Sequence, residues 1–204
     1  ENYKLPKRNR YYIDDFCLTE GSTGAITMFF EYLKKYYPDG EILIQSPNYY
    51  LYKFAANYYG LRLKEILPRA NGKKINFISA DGIINGIGKK TKVIILTNPA
   101  NPSGEVFSNS CLEKIFLAAK KNNIIVFVDE LFSELYFPES TFPYSDVVAS
   151  KLKMLENLVI VKGFSKSKNL VGLRIGYIYS KNRETINAIA YIAQQRSSFS
   201  AASN

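Results

Sequence analysis

The 204-residue chain contains no histidine. That absence removes Ser-His-Asp hydrolysis, histidine-ligated zinc and any imidazole general base from the chemistry open to it. Cysteine is nearly as scarce. Cys17 and Cys111 stand far apart in the sequence, which argues against a disulfide framework or a cysteine-based metal site. No apolar run approaches the ~20 residues that a membrane-spanning helix needs, and Glu1 does not open a signal peptide. The expected setting is therefore reduced and cytoplasmic, with no metal.

What is present is an ordinary globular composition. Hydrophobic residues make up 47% and charged residues 22% of the chain, which argues for a packed core rather than disorder. The length is enough to bury that core without staples. Lys and Arg number 27 against 18 Asp and Glu, a net charge of +9. Such an excess can signal nucleic acid, but the cations here are scattered. The Lys-Lys pairs at 34–35, 73–74, 89–90 and 120–121 mostly fall where helices end or loops turn, places that favour cations on electrostatic grounds. They read as solvated surface, not as a nucleic-acid face.

Hydrophobic periodicity predicts strands at Phe16–Thr19, Glu41–Gln45, Leu61–Ile66, Lys92–Leu96, Ile124–Val128, Leu158–Val161 and Ile175–Tyr179. Helices are expected from Gly24 to Tyr37, over Tyr50–Tyr59, over Ser110–Lys121 with a capping box Ser110…Glu113, and over Arg183–Gln195. The stretch Pro68–Lys90 is weakly patterned. Strands alternating with helices imply a three-layer α/β/α fold with a mainly parallel sheet. Residues 1–15 form a basic lead-in, 16–196 one domain, and 197–204 the start of a continuation.

In an open parallel sheet, ligands bind beyond the carboxyl ends of the strands. The segments that follow the predicted strands are chemically pointed. They are Gly21-Ser22-Thr23, Asn98-Pro99-Ala100-Asn101-Pro102-Ser103-Gly104, Asp129, and Gly163-Phe164-Ser165-Lys166 with Gly172-Leu173-Arg174. One edge thus collects a phosphate nest, amides, a carboxylate, a lysine and an arginine.

These segments, with Ser46-Pro47-Asn48-Tyr49-Tyr50-x-Tyr52, resemble in order the motifs of the class I/II aminotransferases, the fold type I pyridoxal-phosphate enzymes. The resemblance runs over residues 16–196 and covers the large domain only. It implies that Lys166 forms the Schiff base with pyridoxal 5'-phosphate and moves the Cα proton. Burial and nearby cations are expected to lower that lysine's pKa. It further implies that Asp129 keeps the pyridine nitrogen protonated, and that Ser22, Thr23, Arg174 and Ser165 hold the phosphate. Asn101 would bond the phenolic oxygen and Tyr49 would stack on the ring. Lys168 is the rival to Lys166, but its spacing to Gly172 and Arg174 is two residues short of the family pattern. The implied activity is transfer of an amino group between an amino acid and a 2-oxo acid, in a homodimer.

The chain also departs from that pattern. Phe132 stands where the family commonly has a tyrosine that bonds the phenolic oxygen, and Gly163 stands at a position that is often serine. No residue can be assigned to grip the substrate's α-carboxylate. The small domain that supplies it is missing. A lyase or cyclase on the same cofactor, or a non-catalytic aminotransferase-like sensing domain, stays open. A phosphate loop at Gly86-Ile87-Gly88-Lys89-Lys90 is rejected, because it precedes a strand and lacks the Ser or Thr after the lysine.

Overall fold

The computed structural model describes residues 12–71, 74–76, 79–135 and 141–196. Most of the lead-in, and all of the expected continuation at 197–204, lie outside the described residues. The strands are β1 (Phe16–Glu20), β2 (Glu41–Gln45), β3 (Arg62–Ile66), β4 (Arg69–Asn71), β5 (Lys74–Asn76), β6 (Thr91–Thr97), β7 (Ile125–Asp129), β8 (Leu158–Gly163) and β9 (Ile175–Ser180). The helices are α1 (Gly21–Tyr36), α2 (Tyr50–Tyr58), α3 (Ala80–Gly86), α4 (Asn109–Lys121), α5 (Ser145–Lys151), α6 (Phe164–Ser167) and α7 (Arg183–Arg196).

Seven strands form one sheet in the order β1-β9-β8-β7-β6-β2-β3. Neighbours from β8 to β3 are parallel, while β9 runs antiparallel to both β8 and β1. The expected three-layer, mainly parallel architecture is therefore present, with β9 as the one reversed strand. β4 and β5 pair with each other apart from it.

Each central strand is apolar on both faces, and the period of two divides its side chains between two cores. Ile42, Ile44, Val93, Ile95, Phe127, Val159 and Val161 pack with α1, α2 and α7. Leu43, Ile94, Leu96, Val126, Val128, Leu158 and Ile160 pack with α3, α4 and α5. The Phe127 ring stacks on Phe29 with centroids 4.4 Å apart, and its loss would cost about 3–5 kcal/mol.

Three local details differ from the sequence reading. α4 is capped by Ser108, whose hydroxyl accepts the Cys111 N–H at 3.2 Å; Ser110 instead meets the Ser108 hydroxyl at 3.1 Å. The capping box at Ser110…Glu113 is thus replaced by a simple cap two residues earlier, because the helix already begins at Asn109. The weakly patterned stretch holds β4, β5 and α3, whose N-cap Ser79 accepts the Gly82 N–H at 3.0 Å. α5 went unpredicted, being a single short helix of seven residues.

The lead-in is not merely polar. Asp15 is fully buried, accepts the Tyr12 N–H at 3.0 Å and pairs with Lys181 and Arg183, which ties the residues just before β1 to the segment after β9. At the other end Arg196 bonds Thr27, Glu31 and Tyr59, fastening α7 to α1 and α2. No helix among the described residues is long and apolar enough to cross a membrane.

The topology decides where chemistry can occur. β6, β7 and β8 are parallel, so their carboxyl ends share one edge of the sheet. The reversed β9 brings its amino end, and β1 its carboxyl end, to that same edge, as the pairs Gly163↔Gly176 and Glu20↔Ile175 show.

Candidate active site

The turn from β1 into α1 makes an anion seat. Gly21 adopts φ +63°, a left-handed conformation natural to glycine. The helix is 16 residues long, its first turn carries no acidic side chain, and the N-cap Glu20 side chain bonds none of its N–H groups. Among the described residues, therefore, no side chain caps the positive end of the dipole. Ser22 and Thr23 lie in this turn. The Arg174 guanidinium lies against it: a Cβ on Gly21 would sit 2.8 Å from Arg174 Nη2. Arg174 is itself left-handed, with φ 52°, and its Nη1 reaches back to the Val171 carbonyl at 3.4 Å. Close backbone packing holds the turn in place. A Cβ on Gly176 would stand 2.6 Å from the Gly21 carbonyl carbon, and one on Gly163 would stand 3.6 Å from Ser22 N.

Next to this seat, Asp129 closes β7 with its carboxylate buried. Oδ1 accepts the Leu131 N–H at 3.0 Å and Oδ2 accepts the Tyr52 hydroxyl at 2.7 Å. Two neutral donors hold it; among the described residues no ion pair reaches it. Burial pushes its pKa above the usual carboxylate range and Glu130 adds to this, while the Tyr52 and Leu131 donors pull the other way. Glu130 faces elsewhere. Its Oε1 accepts the Ser145 N–H at 2.9 Å and its Oε2 pairs with Lys162 at 3.1 Å, a structural clamp between β7, β8 and α5.

Tyr49 connects the two features. It is half-buried, and its ring lies edge-on to Tyr52 with centroids 6.3 Å apart. Burial raises its phenol pKa, Tyr50 and Asp129 reinforce that, and Arg174 opposes it. The Tyr49 phenol thus lies within the electrostatic reach of both the carboxylate and the guanidinium.

Lys166 sits in α6, a four-residue helix just past β8. Its ammonium is 5.9 Å from the centre of the Phe132 ring, a cation–π contact. Phe132 and Asn101 both line a cleft of about 840 Å³ that continues along Pro99, Val106, Leu135 and Phe142. The burial expected for Lys166 is not found. The side chain is exposed, because α6 is a single turn at the open edge of the sheet. Ser165 beside it is half-buried. The rival Lys168 pairs with Glu134 at 2.8 Å. Of the two asparagines in the Asn98–Gly104 loop, Asn98 is fully buried and its Oδ1 accepts the Phe107 N–H at 3.1 Å. That leaves Asn101 facing the cleft.

The residues singled out in the sequence lie along one sheet edge. Ser22 and Thr23 share the α1 turn with Arg174, and Tyr49 lies within electrostatic reach of Asp129. Lys166 and Asn101 each neighbour Phe132, with Ser165 adjacent to Lys166 in α6. Among the described residues, no contact joins Lys166 to Asp129 or Arg174. The sequence reading missed Tyr52 as a partner of Asp129. Its signal was visible, an aromatic three residues after Tyr49 on the inward face of α2. Gly176 was missed as well, although a glycine two residues after Arg174 marks a close backbone approach.

The sequence profile of the family described as aminotransferase class I and II matches residues 11–204. Tyrosine aminotransferase of Bos taurus is 30% identical over 174 residues, covering 84% of this chain and 37% of that protein. Among solved structures, a tetra mutant of Thermus thermophilus aspartate aminotransferase superposes with a TM-score of 0.82 at 22% identity, covering 94% of this chain and 50% of that one. A PLP-bound C-S lyase from Staphylococcus hominis superposes with a TM-score of 0.81 at 17% identity, covering 96% and 48%. At such identities the superpositions establish the fold alone. The chain spans half or less of the length of these relatives.

Proposed function

The chain belongs to the class I and II aminotransferases, and on that premise we propose that it forms the cofactor-binding half of a pyridoxal-phosphate-dependent enzyme that moves amino groups between an amino acid and a 2-oxo acid. The observation that carries this reading is the buried Asp129 carboxylate, held by neutral donors one strand away from the Lys166 turn. A buried carboxylate that no cation among the described residues reaches calls for a cationic ligand group, and a protonated pyridine nitrogen supplies one. The donor set fits the rest of such a ligand. Arg174 and the first turn of α1 suit a phosphate dianion, Tyr49 offers a ring face, and the Asn101 amide can donate to a phenolic oxygen.

Bound there, pyridoxal phosphate supplies an electron-withdrawing ring that stabilises negative charge on the substrate's Cα. The protein's share is binding and proton management. Asp129 keeps a proton on the ring nitrogen, Arg174 with Ser22 and Thr23 anchors the phosphate, and Ser165 adds a hydroxyl to that anchor. Lys166 would be the covalent anchor and, once the substrate's amine has displaced it, the general base whose free Nζ takes up and returns the Cα proton. A homodimer in the cytoplasm belongs to the same proposal.

Borohydride reduction of the full-length protein after loading with pyridoxal phosphate tests this directly. Lys166→Ala is expected to abolish the reducible adduct and Lys168→Ala to leave it; the reverse result refutes the assignment. Phe132 favours a second reading, a lyase on the same cofactor, because it offers no hydroxyl where the family commonly has a tyrosine. The lyase would release a 2-oxo acid without an added oxo-acid acceptor. The transferase would need one.

A further inference from the structure

We infer that Tyr52 is the positioning residue for Asp129: its hydroxyl fixes the carboxylate and holds it in the ionised form that a protonated ring nitrogen requires. This deepens the cofactor reading above and rests on it. Tyr52 is fully buried and its hydroxyl donates to Asp129 Oδ2 at 2.7 Å, the short range of a charge-assisted bond. The ring is clamped by neighbours, with centroids 6.4 Å from Phe30 and from Phe127 and 6.3 Å from Tyr49. The donor therefore cannot swing away to water.

The bond is also directional. Burial and the Asp129 carboxylate push the Tyr52 phenol pKa well up, so it keeps the proton it offers to Asp129; Thr97, opposite Asp129 in the β6–β7 register, opposes this. An ionised carboxylate can only accept, so the phenol points its proton at Asp129. Tyr52 and Asp129 thus join α2 to the end of β7. The groups that face the carboxylate are Tyr52 from α2, the Leu131 N–H from its own loop and the neighbouring Glu130; Tyr49, at the start of α2, is within electrostatic reach. Among the side chains of the described residues, Tyr52 alone donates to the carboxylate. Asp129 is otherwise biased toward its neutral form by burial.

The sign of the effect follows. Removing the hydroxyl takes away a donor that favours the charged carboxylate, so the carboxyl holds its proton to higher pH. A neutral Asp129 cannot stabilise a protonated ring nitrogen, and affinity for the cofactor falls wherever the carboxyl is protonated.

The test is an equilibrium titration of the full-length apoprotein with pyridoxal phosphate from pH 5 to pH 9, followed by the ring absorbance, for wild type, Tyr52→Phe and Thr97→Val. Tyr52→Phe keeps the packed ring and loses only the hydroxyl. Its acid limb of affinity against pH is expected to move up by about one unit, with a drop of about tenfold on that limb. Thr97→Val is expected to shift the limb in the same direction by less, and it stands in as the test if Tyr52→Phe does not fold. A merely structural Tyr52 would lower the melting temperature and leave the pH limb where it is. That outcome, with wild type binding normally, overturns this inference and spares the cofactor reading. A wild-type protein that takes up no pyridoxal phosphate overturns both.

Discussion

Gly21 and Arg174 are packed so closely that a methyl group on Gly21 would lie 2.8 Å from Arg174 Nη2. The guanidinium reaches the amino end of α1 only because no side chain stands there. Gly21→Ala is therefore expected to push the guanidinium off the helix end and to place a Cβ at φ +63°, at a cost of about 1–2 kcal/mol in stability. Affinity for inorganic phosphate or pyridoxal phosphate should fall more than the melting temperature suggests. Gly176→Ala makes the contrast. Its Cβ would meet backbone, 2.6 Å from the Gly21 carbonyl carbon and 2.9 Å from Ser22 N, and backbone cannot rotate away. This variant should lose more stability than Gly21→Ala. Thermal melts of both apoproteins, beside phosphate affinities, would check the order; equal losses would show that the turn is not packed as described.

Asp129 is predicted to be a site where function and stability oppose each other. Its folded pKa is raised by burial, so the folded state holds the proton more tightly than the unfolded chain does. The sign follows from linkage: this group favours folding most at low pH, and that contribution is lost as pH rises through the raised folded pKa. Above the raised folded pKa the ionised carboxylate of the apoprotein is thus a net cost. Asp129→Asn removes the ionisation while keeping an oxygen for the Leu131 N–H. It is expected to raise the melting temperature at pH 7.5, with the gain shrinking toward zero as pH falls through the raised pKa into the ordinary carboxylate range. The same substitution should sharply reduce turnover of the loaded enzyme. A gain that is independent of pH would show that ionisation is not its source.

Much of this arrangement was legible in the residues because chain order and sheet order cooperate. Strands such as Val126–Val128 are apolar on both faces, so a covered parallel sheet was the natural reading, and a parallel sheet fixes which strand ends share an edge. Asp129, Lys166 and Arg174 could then be grouped before any geometry was known. What could not be read depends on contacts across sequence distance. Tyr52 and Asp129 are brought together only when α2 packs beneath β7, and nothing local to either residue announces the bond. The reversed direction of β9 was equally hidden, since an apolar six-residue strand looks the same in either orientation. The exposure of Lys166 follows from the brevity of α6, and residue spacing alone gave no measure of that.

Phe132 lines the cleft beside Asn101 and lies under the Lys166 ammonium, so adding one hydroxyl there separates two of its roles. Phe132→Tyr retains the ring and its attraction for the cation, worth about 0.5–1 kcal/mol at an exposed site. It adds a donor in a cleft with room for it. If the phenolic oxygen of pyridoxal phosphate lies between Asn101 and this ring, the new hydroxyl should improve affinity by a factor of about 2–10, the value of one added hydrogen bond. Phe132→Leu removes the ring and should do the opposite, loosening Lys166 and weakening binding. Both variants should melt within about 1 kcal/mol of wild type, because the ring borders open space and not the core. Affinities measured for the three proteins side by side decide the matter. A Phe132→Tyr protein that binds no better than wild type would place the cofactor's phenolic oxygen away from this ring and remove Phe132 from the site.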